Sequence, residues 1–245
     1  MIVHLFGRKL RLLHRFKSRK NRIYLVESEE GRYVLKLYRA PHHLCSGVEY
    51  RVLRKAHRKR TAVPQPLAFA EGRALLMEYI PGENLCDLLN RHCLPEYADQ
   101  LAQWFGSFHQ LFEEPGGTTL LRGDSNLRNF LIHPAGELYG IDLEEAERGD
   151  PARDIGRICA SILNTDPMFT KQKFALCRRL ISCYGRITER DDLELTVTGQ
   201  IARALREASR YRPGQRRYLL RQARLLEQKG LDRAARGKGQ PGCRW

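Results

Sequence analysis

A chain of 245 residues, 42% hydrophobic and 29% charged, is long enough to bury a real core and too apolar to be disordered. No window approaches the roughly 18 to 20 continuous apolar residues of a membrane span. The seven cysteines are odd in number and scattered, with no C-x-x-C pair, which argues against a disulfide framework and a zinc site and for a reducing, cytoplasmic setting.

The net charge of +15 is uneven. Residues 1–60 carry 17 Lys/Arg against 4 Asp/Glu, residues 61–200 carry 13 against 21, and residues 201–245 carry 13 against 3. Basic ends attract RNA, anionic surfaces or phosphorylated ligands by field alone, and a solvated arginine-rich surface is the plainer alternative. The N-terminus "MIVHLFGRKLRLLHRFKSRKNR" lacks the apolar block of a secretory signal. It also runs straight into a strand, which disfavours a transit peptide.

The first third reads as strands. "NRIYLVES" and "RYVLKLYR" are β-branched and aromatic runs joined by a hairpin signal. A helix comes after Pro41, with Val48, Val52 and Leu53 at helical spacing, and two more strands flank Glu71-Gly72. After Gly82 the pattern turns helical. The stretch "PEYADQLAQWFGSFHQLFEE" carries Leu101, Trp104, Phe105, Phe108, Leu111 and Phe112 as one apolar stripe, expected to be core. Two short strands are expected over 120–142. Asp150-Pro151 then caps a helix, and helices are expected over about 151–164, 168–185, 189–210 and 214–229. The layout is α+β: a β-rich region with one helix over 1–82, a helical region over 83–229, and a basic tail over 230–245 expected to be disordered.

The stretch "LLRGDSNLRNFLIHPAGELYGID" contains RGDS, yet the residues after Asp124 carry more information than the adhesion tripeptide. Phosphoryl transfer from a nucleotide needs cations on the phosphates, carboxylates and an amide for Mg²⁺, and a base beside an in-line acceptor. Asp124 is placed to accept the acceptor hydroxyl's proton. Asn129, five residues on, and Asp142, after a hairpin, are placed to hold metal. Lys36 on a strand, supported by Glu49 of the next helix, is placed to meet the α- and β-phosphates.

This ordered set resembles the protein-kinase-like superfamily, and within it the aminoglycoside phosphotransferase and choline kinase group. "RGDSNLRN" is similar to that group's catalytic loop, "GIDLEEA" to its metal segment and "GDPARDIG" to its continuation, over roughly residues 18 to 165. The resemblance implies a bilobal fold, ATP and Mg²⁺ as cofactors, and a kinase moving the γ-phosphate to a hydroxyl of a small molecule, sugar or glycan. It implies that Asp154 braces the catalytic loop and that Glu144 is a further metal ligand. Glu78 and Ile80, in "ALLMEYIPGENL", would then offer backbone groups to adenine. Arg128 is a candidate for the γ-phosphate. "KSRKNR" stands where a glycine-rich loop would cover the phosphates, and Ser18 and Asn21 would act there by hydrogen bonds.

Arg122 occupies the place where the group usually has histidine, and the metal segment has Leu143 and no Phe-Gly, unlike ordinary protein kinases. "RNFLI" with "YGIDLEEA" is also locally similar to lipopolysaccharide sugar kinases. The basic C-terminus is similar to the small atypical kinase of the tRNA threonylcarbamoyl-adenosine complex, though Gly-Asp-Pro-x-x-Asp speaks against it. The alternatives are therefore an atypical protein kinase or ATPase of an RNA-associated complex, and a non-catalytic kinase-like binding module.

Overall fold

The computed structural model describes residues 1–191 and 193–234. First come β1 (Ile2–Leu5), β2 (Arg8–Phe16), β3 (Arg22–Ser28), β4 (Gly31–Leu37), α1 (Ser46–Arg58), β5 (Pro66–Ala70) and β6 (Ala74–Glu78). Next are β7 (Glu83–Asn84), α2 (Leu85–Arg91), α3 (Glu96–Leu111), β8 (Thr119–Leu121), β9 (Phe130–Ile132), β10 (Leu138–Gly140) and β11 (Glu147–Gly149). Helices α4 (Ala152–Leu163), α5 (Lys171–Thr188), α6 (Leu193–Tyr211) and α7 (Arg216–Ala234) close the described chain. The fold is α+β and bilobal, an antiparallel sheet with α1 followed by a helical lobe.

The sheet has the order β1-β2-β3-β4-β6-β5. Its alternation sends side chains to two faces. Leu10, Val26, Leu35, Ala74 and Leu76 form a small cluster on one face. Leu75 and Met77 point the other way and join Val52, Leu53 and Ala56 of α1 in the main core, which continues into the helical lobe. The hairpin of β1 and β2 turns through Phe6 and Gly7, at φ 54 and 71, the left-handed pair that a two-residue hairpin turn requires. Arg8, Lys9, Arg11 and Arg15 break the apolar alternation and hide this hairpin in the sequence, since only Leu10 of β2 is fully buried.

The aromatic stripe of α3 is core, as its spacing predicts. Trp104 stacks on Phe108 at 5.0 Å and meets Phe130 of β9 edge-on at 5.2 Å. Its Nε1 donates to the Ala62 carbonyl at 2.9 Å. The ring also fills the space that a side chain at Gly140 would need, so the β9–β10 hairpin rests directly on α3.

β8 pairs with β11 and β7 with β9, short strands of two or three residues that carry no periodic signal. α5 begins at Lys171 because the Thr170 hydroxyl accepts from the Lys173 amide at 3.3 Å. Helix α7 runs past the expected end of its helical pattern to Ala234, breaking its geometry at Gly230 (φ 70, ψ 178) and burying Leu231. The remainder of the expected tail, 235–245, lies outside the described residues. Among the described residues no helix is long and apolar enough to cross a membrane.

Candidate active site

Lys36 is the centre of the site. It sits on β4, and its Nζ lies 2.8 Å from Glu49 Oε2 of α1, 2.6 Å from Asp142 Oδ1 and 2.8 Å from Glu144 Oε2. Lys36 and Glu49 are buried, at 3% and 1% side-chain exposure, so neither charge can be left to water. Burial works against the ammonium, but Glu49, Asp142 and Glu144 outweigh it and raise its pKa above the lysine range. Burial raises Glu49 against the pull of Lys36. Asp142 is also desolvated, yet Lys36 holds it below the ordinary carboxylate value. Tyr38, two residues beyond Lys36, donates its hydroxyl to Glu49 Oε2 at 2.6 Å.

Glu49, Asp142 and Glu144 offer oxygens that all lie within 4.8 Å of one another. An all-oxygen anionic donor set suits a hard divalent cation such as Mg²⁺. Asn129, the amide expected among the metal ligands, stands beside Asp124. Its Nδ2 donates to the Asp124 carbonyl and to Asp124 Oδ2, both at 3.1 Å, while its own carbonyl accepts from the Ile141 amide at 2.9 Å. Asn129 thus adjoins both Asp124 and the turn that carries Asp142.

The loop between β8 and β9 carries Asp124. Gly123 before it has φ 81, and a Cβ there would run into the Glu145 carbonyl, so the turn needs glycine. Asp124 opens to solvent at the loop's mouth. Enough protein surrounds its carboxyl that desolvation raises its pKa, against Arg122 nearby. Asp154, from the first turn of α4, is fully buried and accepts from the Arg122 amide at 2.7 Å and the Ser125 hydroxyl at 2.6 Å. His109 Nε2 lies 3.2 Å from the same carboxylate, and its Nδ1 2.8 Å from the Tyr184 hydroxyl. Asp150 caps α4, accepting from the Ala152 amide at 2.9 Å.

Burial alone would raise Asp154, but its partners, His109 first, hold it below the usual value of 3.8. A carboxylate depressed in the folded state contributes stability that is present above the unfolded pKa and lost as pH falls through the folded one. Asp154→Asn is therefore expected to cost on the order of 3 kcal/mol at pH 7. It should also flatten the loss of stability that the wild-type chain shows below about pH 4. Urea unfolding at pH 7 and pH 3 checks both expectations.

The β2–β3 turn closes over the acidic segment. Asn21 Nδ2 donates to Glu144 Oε2 at 2.6 Å, and its Oδ1 accepts from the Arg39 amide at 3.3 Å. Ser18 Oγ accepts from the Asn21 amide at 3.4 Å. Asn21 is thus directed at a carboxylate, with Ser18 supporting the turn. Lys20 pairs with Glu145 and stands 3.5 Å from Glu144. Glu78 ends β6 with its amide bonded to the Gln65 carbonyl at 2.9 Å, and Ile80 comes next but one, buried at the junction. The Arg128 guanidinium lies 3.9 Å from Asp87 of α2, and its carbonyl accepts from Asn84 Nδ2 at 2.6 Å.

Sequence reasoning did not place Lys20 on the acids, Tyr38 on Glu49, or Arg157 of α4 on the Gly123 carbonyl. Only Tyr38 left a signal, its two-residue spacing from Lys36 at the end of a strand.

Residues 13–122, a little under half the chain, match the family described as the phosphotransferase enzyme family. No curated protein sequence matches significantly. Among solved structures, the chain is similar to a choline kinase from Cryptosporidium parvum Iowa II, with 16% identity, a TM-score of 0.63, and 91% of this chain and 90% of that one covered. It is also similar to an amicoumacin kinase in complex with AMP-PNP, Ca²⁺ and Ami, with 14% identity, a TM-score of 0.60, and 93% and 86% covered. The gentamicin–APH(2'')-IIa complex gives 15% identity and a TM-score of 0.59, with 92% and 94% covered.

Proposed function

We propose that the chain is a phosphotransferase of the aminoglycoside phosphotransferase and choline kinase group and moves the γ-phosphate of Mg²⁺-ATP to a hydroxyl of a small molecule, sugar or glycan, a reading supported by the family match over residues 13–122. The observation that carries this reading is Lys36 held between Glu49, Asp142 and Glu144, with Asp124 on the loop tied to the same turn through Asn129. The finer choice of acceptor rests on charge: a surface at +15 repels a polycation at long range and tolerates a neutral or anionic sugar.

Lys36 meets the α- and β-phosphates, and Glu49 with Tyr38 holds it in place. The peptide groups of Glu78 to Ile80 face the base. Lys20, with Ser18 and Asn21, covers the phosphates from the β2–β3 turn. Asp142 and Glu144 hold the divalent ion, which when bound neutralises phosphate charge, and Asn129 borders that place. In the transfer, a bond forms between the acceptor oxygen and the γ-phosphorus. The bond from that phosphorus to the bridging oxygen breaks, ADP leaves with the electron pair, and the hydroxyl proton passes to Asp124. Its raised pKa suits this task by bringing the base nearer neutrality.

Calorimetric titration of ATP with and without Mg²⁺ tests the metal assignment. Asp142→Asn is expected to remove at least a tenfold Mg²⁺-dependent gain in affinity, about 1.4 kcal/mol. An unchanged gain would take Asp142 out of the metal site.

A further inference from the structure

Arg122 is the largest fully buried side chain among the described residues. A guanidinium taken wholly out of water is costly unless its donors are met. Here Nη1 donates to the Asp124 carbonyl at 2.6 Å. Nη2 donates to the Ile141 carbonyl and, at 3.3 Å, to the Asp142 carbonyl. The cation lies 4.7 Å over the Phe130 ring and 5.9 Å from Trp104, while Nε has no partner. A group kept buried with one donor unmet is held for what its other nitrogens do.

Those nitrogens join two loops. One carbonyl belongs to Asp124, the residue that faces the acceptor. The other two flank the backbone of Asp142, which sits at φ 62, a left-handed conformation that a non-glycine residue rarely adopts. The planar fork thus spans the catalytic loop and the strained turn with one rigid group. The backbone of Arg122 is itself pinned, its amide donating to the buried Asp154. A lysine offers a single nitrogen and a neutral imidazole a single N–H, so neither can hold all three carbonyls in this plane.

We infer that Arg122 is a positioning residue that fixes the distance and orientation of Asp124 relative to Asp142 by bridging their backbones. The inference rests on the phosphotransferase reading. It predicts an effect on turnover larger than on nucleotide binding, because Arg122 touches the backbone of Asp142 while Lys36 holds the Asp142 carboxylate, and neither Lys36 nor the Glu78–Ile80 segment is among the groups that Arg122 touches.

The test uses the full chain and Mg²⁺-ATP with water as acceptor, measured as ADP release, for wild type, Arg122→Lys, Arg122→His and Arg122→Met. In this reaction a water oxygen bonds to the γ-phosphorus, ADP leaves, and the water proton goes to Asp124. A displacement near 1 Å is expected to lower kcat about 10²-fold, with KM for ATP changed less than about threefold. Arg122→Lys, which keeps the charge, should be as impaired as Arg122→His if the fork geometry matters.

Folded variants with wild-type kcat would overturn the inference while leaving the phosphotransferase reading intact. The same holds if kcat recovers when an osmolyte restores the thermal midpoint, or if none of the three variants folds, since each shows a role confined to stability. A wild-type chain that neither binds Mg²⁺-ATP nor releases ADP would instead sink the reading on which the inference rests, and the inference with it.

Discussion

Asp124→Asn is expected to lower phosphoryl transfer by about 10² to 10⁴-fold, the range supplied by a positioned general base. Nucleotide affinity should stay within about threefold, because Asp124 touches none of the groups placed around the phosphates; its own partner is Asn129 at 3.1 Å. The substitution keeps size and hydrogen-bonding capacity and removes only the ability to take a proton. The local fold should survive it, since the Asp124 carbonyl remains to accept from Arg122 and Asn129. Steady-state transfer and nucleotide titration on the same preparation separate the two effects. A variant with full activity would remove Asp124 from the mechanism.

Lys36→Met should have the largest effect on stability. It leaves Glu49, Asp142 and Glu144 facing one another with the shared cation gone, and two of the three are almost wholly buried. An uncompensated buried charge costs about 3 to 5 kcal/mol. In a chain of this length that lowers the thermal midpoint by roughly 10 °C. The same vacated oxygens form a harder and more anionic site, so added Mg²⁺ should recover part of the loss in Lys36→Met and do much less for wild type. Transfer should fall with nucleotide affinity, since the phosphates lose their buried cation. Thermal unfolding with and without Mg²⁺ checks the point, and a variant as stable as wild type would mean that the three carboxylates do not depend on Lys36.

Much of this arrangement is legible in the sequence because it is written in local spacing. Asp124 and Asn129 are five residues apart on one loop, Asp142 and Glu144 are two apart, and Lys36 lies within a strand whose alternation is plain. Their convergence can be expected only through the family resemblance, since the Lys36–Asp142 contact joins residues 106 apart in sequence. The hidden part depends on tertiary burial. Lys20 looks like one base among several in "KSRKNR", and nothing local shows that it meets Glu145 across 125 residues. Arg122 reads in the sequence as a departure from the usual histidine, whereas in the fold it is a buried bridge between two loops. The β1–β2 hairpin is obscured because bases occupy many of its positions and one fully buried leucine carries the pattern.

The central claim is phosphoryl transfer to a non-protein hydroxyl through Asp124. The most direct measurement incubates the full chain with Mg²⁺ and γ-labelled ATP in a cell extract depleted of endogenous kinases, beside an Asp124→Asn control. Label is then separated into small-molecule, glycan or lipid, protein and RNA fractions. The predicted result is label in the small-molecule or glycan fraction with the wild-type chain and its loss with Asp124→Asn. Label confined to protein, or equal label with both chains, would contradict the account.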